Sequence, residues 1–141
     1  MAYKLVPNQH TEFDQMVAKW LEQYGRQGKV IHCRKGCSGC CHLAVHATYP
    51  EVIPVAAGLS VETLNRLTQY INRITELLPS VGDLKSYLKL HRQKAGPCPF
   101  LDRSGECGIY NVRPFSCRAL LSTRPAAWCT VDFSTLDEWV N

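Results

Sequence analysis

The stretch Cys33-Arg34-Lys35-Gly36-Cys37-Ser38-Gly39-Cys40-Cys41-His42 holds four cysteines within nine positions. Thiolates packed this tightly repel one another unless a cation sits among them. Disulfides suit the stretch badly, because Cys40 and Cys41 are adjacent and a ring closed between neighbours is strained. Gly36 and Gly39 let the backbone turn sharply and bring sulfurs toward one centre. The stretch reads as a nest of thiolates around a metal ion or an iron–sulfur cluster, with a disulfide framework as the plainer alternative.

The other four cysteines, Cys98, Cys107, Cys117 and Cys129, follow a helical insert over residues 48–94. Folding this second group onto the first gathers seven or eight sulfurs. Eight could hold two tetrahedral zinc ions, each with four thiolates. Four could hold one iron–sulfur cluster, leaving the others for a second site or for redox work. Cys33-x3-Cys37-x2-Cys40 also matches the spacing of radical enzymes that leave one iron open to S-adenosylmethionine, but the strand–helix repeats of their barrel are missing. Arg113 and Arg118 bracket Cys117, where a guanidinium can donate hydrogen bonds to sulfur and offset its charge. His32, His42 and His46 flank the nest. They read as neighbours rather than ligands, with His42 the best placed to ligate. His10 and His91 carry no signal. Asp102, Glu106 and Glu51 form no acid–base pair, and Glu51 reads as a capping residue. No glycine loop cradles a phosphate.

Periodicity supplies the elements that must position these groups. Residues 1–10 read as an extended tail. Thr11 opens a helix, with Asp14 three residues on. Its stripe of Phe13, Met16, Val17, Trp20, Leu21 and Tyr24 reads as core rather than as a grip for a partner helix. Gly25 and Gly28 stop it. Thr48, Pro50 and Glu51 start a second helix, made irregular by Pro54 and ended by Gly58. Ser60 caps a third, whose Val61, Leu64, Leu67, Ile71, Ile74 and Leu78 are the clearest helical signal. Ser80 with Asp83 caps a fourth, running toward Lys94. Beyond residue 95 glycine and proline dominate. Cys98 and Cys107 read as arms of a short β-hairpin, a short helix begins at or after Pro114, Cys129 falls in an irregular stretch, and Ser134 with Asp137 starts a final helix. The expected fold is mostly α. One domain over residues 1–141 packs helices around an irregular cysteine-rich metal centre with one short β-hairpin. The helices, with their own apolar stripes, are expected to survive metal loss better than the cysteine-rich half.

Composition agrees with a soluble globular protein: 45% hydrophobic and 20% charged residues. No apolar run approaches the ~20 residues of a membrane helix. The N-terminus lacks the apolar stretch of a secretory signal, so the expected compartment is the cytoplasm. Eight cysteines in a reducing compartment argue for metal or redox chemistry. A net charge of +4 falls short of a dedicated nucleic-acid binder. A metal ion or cluster is the partner that the sequence announces. No protein partner is legible.

The nest, Cys98-Pro99-Phe100-Leu101, Gly105-x-Cys107-x-Ile109-Tyr110 and Arg113-Pro114-x-x-Cys117-Arg118 together resemble the YkgJ-type cysteine-cluster family. Its members are small proteins described as zinc- or iron-chelating domains, and a similar domain occurs in flagellin lysine N-methylases. The resemblance spans residues 30–118. It implies metal ligation by Cys33, Cys37, Cys40, Cys41, Cys98, Cys107 and Cys117, and leaves Cys129 outside its pattern. One departure is that the CxxCxxCC name pattern places two residues between its first two cysteines, whereas Cys33 and Cys37 are separated by three. The resemblance implies metal binding without a reaction. Zinc and iron both suit thiolates, with a lean toward an iron–sulfur cluster. Two alternatives stay open. One is a metal- or thiol-dependent redox or group-transfer enzyme, methylase-like. The other is a disulfide-stabilised domain.

Overall fold

The computed structural model describes residues 6–130. The first helix, α1 (Val6–Arg26), starts five residues before Thr11. Thr11 is inside it and its hydroxyl donates to the Pro7 carbonyl at 3.0 Å. The first turn is anchored rather than extended, because Val6 and His10 are only 4% and 5% exposed. The His10 and Phe13 rings both meet Phe115 edge-on. The expected stripe is split. Phe13, Val17 and Leu21 face inward, while Met16 and Trp20 stay exposed. After α1, Gly28 takes a positive φ and ends the turn.

α2 (Tyr49–Ala57) opens with the capping box read from Thr48 and Glu51, and Pro54 is accommodated within it. Ser60 caps α3 (Val61–Leu77), accepting the Thr63 N–H at 3.2 Å. α4 (Leu84–Leu90) is capped by Asp83 instead of Ser80, since the Asp83 carboxylate accepts the Ser86 N–H at 2.7 Å. A wider turn, His91–Ala95, carries the chain to Gly96. α5 (Phe115–Ala119) follows Pro114 as expected. Cys129 closes a short helix, α6 (Ala126–Cys129), so its stretch is not irregular. The helix expected from Ser134 lies outside the described residues.

The expected β-hairpin is not formed. Residues 101 and 107 make one antiparallel bridge, with no strand around it. The Asp102 carboxylate draws in the N–H groups of Ser104 and Glu106, closing a tight turn that leaves no length for a ladder.

The apolar interior is small. Val6, Val55 and Ala95 are the buried hydrophobic residues among those described. α3 buries no residue, and Val61, Leu64, Ile71 and Leu78 are 75%, 47%, 53% and 49% exposed. α3 therefore has no fully buried stripe of its own. It is tied to the cysteine-rich half by polar contacts. Arg66 Nε donates to the Pro99 carbonyl and Arg73 Nε to the Ala95 carbonyl, each at 3.1 Å. Tyr70 Oη and His91 Nε2 share a hydrogen bond of 2.6 Å.

Candidate metal centre

The nest is a series of tight turns. The Cys37 N–H donates to the Arg34 carbonyl, that of Cys41 to Ser38 and that of Leu43 to Cys40, each at 3.0 Å. Gly36 sits between the first two cysteines with φ +84°. Two later segments then close on the nest. The Cys98 N–H donates to the Cys41 carbonyl at 2.7 Å. On the other side, the His32 N–H donates to the Ser122 carbonyl, and the Ser122 N–H donates to Cys33 Sγ at 3.0 Å. α6 packs directly over Gly39, where an added Cβ would lie 2.9 Å from the Cys129 Cβ.

The two cysteine groups therefore meet. Cys33, Cys37 and Cys40 from the nest and Cys117 and Cys129 from the second group line one cavity of about 490 Å³. Cys41, Cys98 and Cys107 lie outside its lining. All eight cysteines are half-buried free thiols. Cys129, which the resemblance leaves outside its pattern although it completes the second group of four, lines the same cavity.

The thiols disfavour one another as anions. Burial raises Cys33, and the charges of Cys37, Cys129 and Cys40 raise it further, against the N–H donated by Ser122. Cys117 is pushed up to about 11 by burial and then by Cys98, Cys40 and Cys107. Cys98 is raised by burial, with Cys107 and Cys40 adding to it. Cys40 and Cys41 share a proton. The Cys41 S–H lowers Cys40 to about 6, with Arg113 contributing, while Cys41 is raised, first by that hydrogen bond and then by burial, Cys40, Cys98 and Cys107.

Arg113 and Arg118 both line the cavity, but they do different work. Arg118 is 5% exposed. It spends its guanidinium on the Arg113 and Asn111 carbonyls and on the Asp14 carboxylate. It pins α1 to the start of α5, and none of these bonds reaches sulfur. Arg113 lies over the Tyr110 ring at 4.1 Å, its Nε buried without a hydrogen-bond partner, and it lowers Cys40 and Cys117. His32, His42 and His46 are not among the residues lining the cavity. Glu51 does more than cap α2. Its carboxylate accepts from Thr48 N at 2.8 Å and from Phe115 N at 2.7 Å, so one buried anion serves the N-termini of α2 and α5. Burial raises its pKa, but these hydrogen bonds and nearby His10 hold it below the ordinary carboxylate value.

Among the described residues, no three Cys, His, Asp or Glu side chains already stand together as a formed metal site. The donor set nevertheless fits zinc or iron in kind. It offers soft thiols from both groups, half-buried and mutually repelling as anions, which a cation among them would stabilise. A family model, CxxCxxCC, described as a "Putative zinc- or iron-chelating domain", matches residues 32–134. The chain belongs to the CxxCxxCC family. The match runs past residue 118 and brings Cys129 within the CxxCxxCC span. No curated protein and no solved structure matches the chain. No described helix is long and apolar enough to cross a membrane.

Proposed function

We propose that this CxxCxxCC protein is a single cytoplasmic domain that holds its metal through thiolates of both cysteine groups. The observation that carries this reading is the convergence of Cys33, Cys37, Cys40, Cys117 and Cys129 on one cavity. Eight cysteines suffice for two sets of four. Cys33 feels Cys37, Cys129 and Cys40. Cys41, Cys98 and Cys117 each feel Cys40 and Cys107, so Cys40 is coupled to both groups. We assign Cys33, Cys37, Cys40 and Cys129 to one site and Cys41, Cys98, Cys107 and Cys117 to the other, with Cys40 and Cys117, which line the same cavity, at their junction. Each set would hold a tetrahedral zinc or an iron–sulfur cluster. We favour iron for the first set, because it borders an open cavity larger than a bare ion needs. Arg113 is the guanidinium that would donate to sulfur, and its unpartnered Nε supports that role. Elemental analysis and an absorption spectrum of anaerobically purified protein test the reading.

The cavity favours a second reading, an enzyme. An enclosed thiolate site would be structural. Here the sulfurs face an open space, with Arg113 and Arg118 on its wall. A ligand entering it would meet the Arg113 guanidinium beside the thiols, since Arg118 is committed to Asp14 and two carbonyls. When bound, the metal would supply redox or Lewis-acid chemistry; the chain supplies Arg113 as the cation that would orient an anionic ligand. Small-molecule binding that depends on both metal and Arg113 supports this reading, and a cavity that takes no ligand rules it out. The disulfide-stabilised alternative predicts that reductant destabilises the protein while a chelator does not.

A further inference from the structure

We infer that His91 is a positioning residue of the metal centre, donating its Nδ1–H to the His42 carbonyl when the thiols hold their metal. The inference rests on the metal-binding reading above. His91 is 4% exposed, yet its Nδ1 is buried without a hydrogen-bond partner. Buried polar groups are nearly always paired, so an orphan of this kind needs an account. The other ring nitrogen is taken, since Nε2 lies 2.6 Å from Tyr70 Oη. Burial and then the Cys98 charge push the Tyr70 hydroxyl up to about 12, so it keeps its proton at pH 7 and donates. Burial holds His91 below its ordinary value of 6.5, with the His42 carbonyl acting the other way, so the ring is neutral. A neutral ring that accepts from Tyr70 at Nε2 carries its proton at Nδ1. The orphan is therefore a donor. The His42 carbonyl is the acceptor beside it, outside hydrogen-bond geometry.

The place of His91 in the chain gives the missing bond its weight. His91 opens the wide turn His91–Ala95, a form that recurs at functional sites. α3 grips both ends of this turn, with Tyr70 at His91 and Arg73 Nε on the Ala95 carbonyl at 3.1 Å. Past Gly96, at φ +82°, the chain reaches Cys98. The Cys98 N–H donates to the Cys41 carbonyl at 2.7 Å. His42 is the next residue after Cys41. The turn is thus fastened to the nest at its far end through Cys98, and the His91 Nδ1–H would fasten its near end through His42. The two bonds end on adjacent carbonyls. Cys41 and Cys98 are assigned to the same set of four, so drawing their thiols to one metal moves the Cys41–His42 backbone. A small shift there closes the gap. A hydrogen-bond chain then runs from Tyr70 through His91 into the nest, supporting the ligands from behind. Supports of this kind change metal retention by about 10–100-fold when removed.

Nitrogen-15 NMR of the full chain loaded with zinc, and metal retention against a chelator, test this. The expected spectrum shows His91 as the neutral Nδ1–H tautomer, its Nδ1 proton slow to exchange with zinc bound and faster after chelation. His91→Phe fills the space of the ring but donates nothing, and should weaken metal retention by about tenfold. His91→Asn packs worse but keeps an N–H donor near the Nδ1 position, and should hold metal better than His91→Phe. A role in packing alone gives the opposite order. Circular dichroism of both variants separates a folding defect from loss of metal. An Nε2–H tautomer in the zinc-loaded wild type, an Nδ1 proton whose exchange ignores zinc, or a His91→Phe protein that holds metal at least as well as His91→Asn would each overturn the inference and leave the metal reading standing. A chain whose thiols take up neither zinc nor iron would overturn both.

Discussion

A Cβ on residue 39 would stand 2.9 Å from the Cys129 Cβ and 2.9 Å from the Ala126 carbonyl oxygen. Only a residue without a side chain lets α6 lie this close to the nest. Gly39 is thus the reason that Cys129 reaches the cavity. Gly39→Ala should cost about 1–3 kcal/mol of stability through overpacking. It should also lower the metal content of the Cys33 set, as Cys129→Ser should. Elemental analysis and thermal melting of both variants check this.

The two arginines beside Cys117 separate by function. Arg118→Lys keeps the charge but loses the planar fork that reaches Asp14 and two carbonyls. It should lower stability by about 2–4 kcal/mol with little change in metal retention. Arg113→Gln should leave melting nearly unchanged and weaken metal retention by about tenfold against a chelator.

Acid should loosen the fold in two stages. Burial and then Arg118 hold His10 below its ordinary value of 6.5, so the folded state disfavours its charged form. The stability this provides is complete above 6.5 and is lost as pH falls from there toward the lowered folded value. Glu51 is held below 4.5, and its contribution is lost on further acidification. His10→Phe should flatten the first stage, and Glu51→Gln the second, in urea unfolding measured against pH.

Much of the helical plan was legible because caps and periodicity are local. Thr48 with Glu51 and Ser60 with Thr63 act at short range, and the structure keeps them. The turn around Asp102 was misread because alternation across it cannot show that the carboxylate will collect the nearby N–H groups. The stripe of α3 was legible as a helix but not as an exposed face, because periodicity reports an apolar face and not what covers it. Arg118 and Glu51 bind partners more than sixty residues away, a relation that spacing does not carry. The nest was legible from residue type alone, whereas Cys129 needed the fold, which lays α6 on Gly39.

Removing the metal should affect both halves of the molecule. With three buried hydrophobic residues among those described, apolar burial contributes little. A structural zinc contributes roughly 10–16 kcal/mol of apparent binding free energy in small peptides. Chelation should expose residues 95–125 to protease. It should also loosen α3, whose arginines bond to the carbonyls of that segment. Mass spectrometry of limited-digestion fragments reads both effects, and a protected α3 in the chelated protein would show that it folds alone.

The most direct measurement is metal content and thiol titration of anaerobically purified wild-type, Cys37→Ser and Cys107→Ser proteins. Stoichiometric iron with sulfide, or stoichiometric zinc, is expected in the wild type, with each variant losing the metal of its own set. A metal-free wild-type protein with eight titratable thiols would contradict the account.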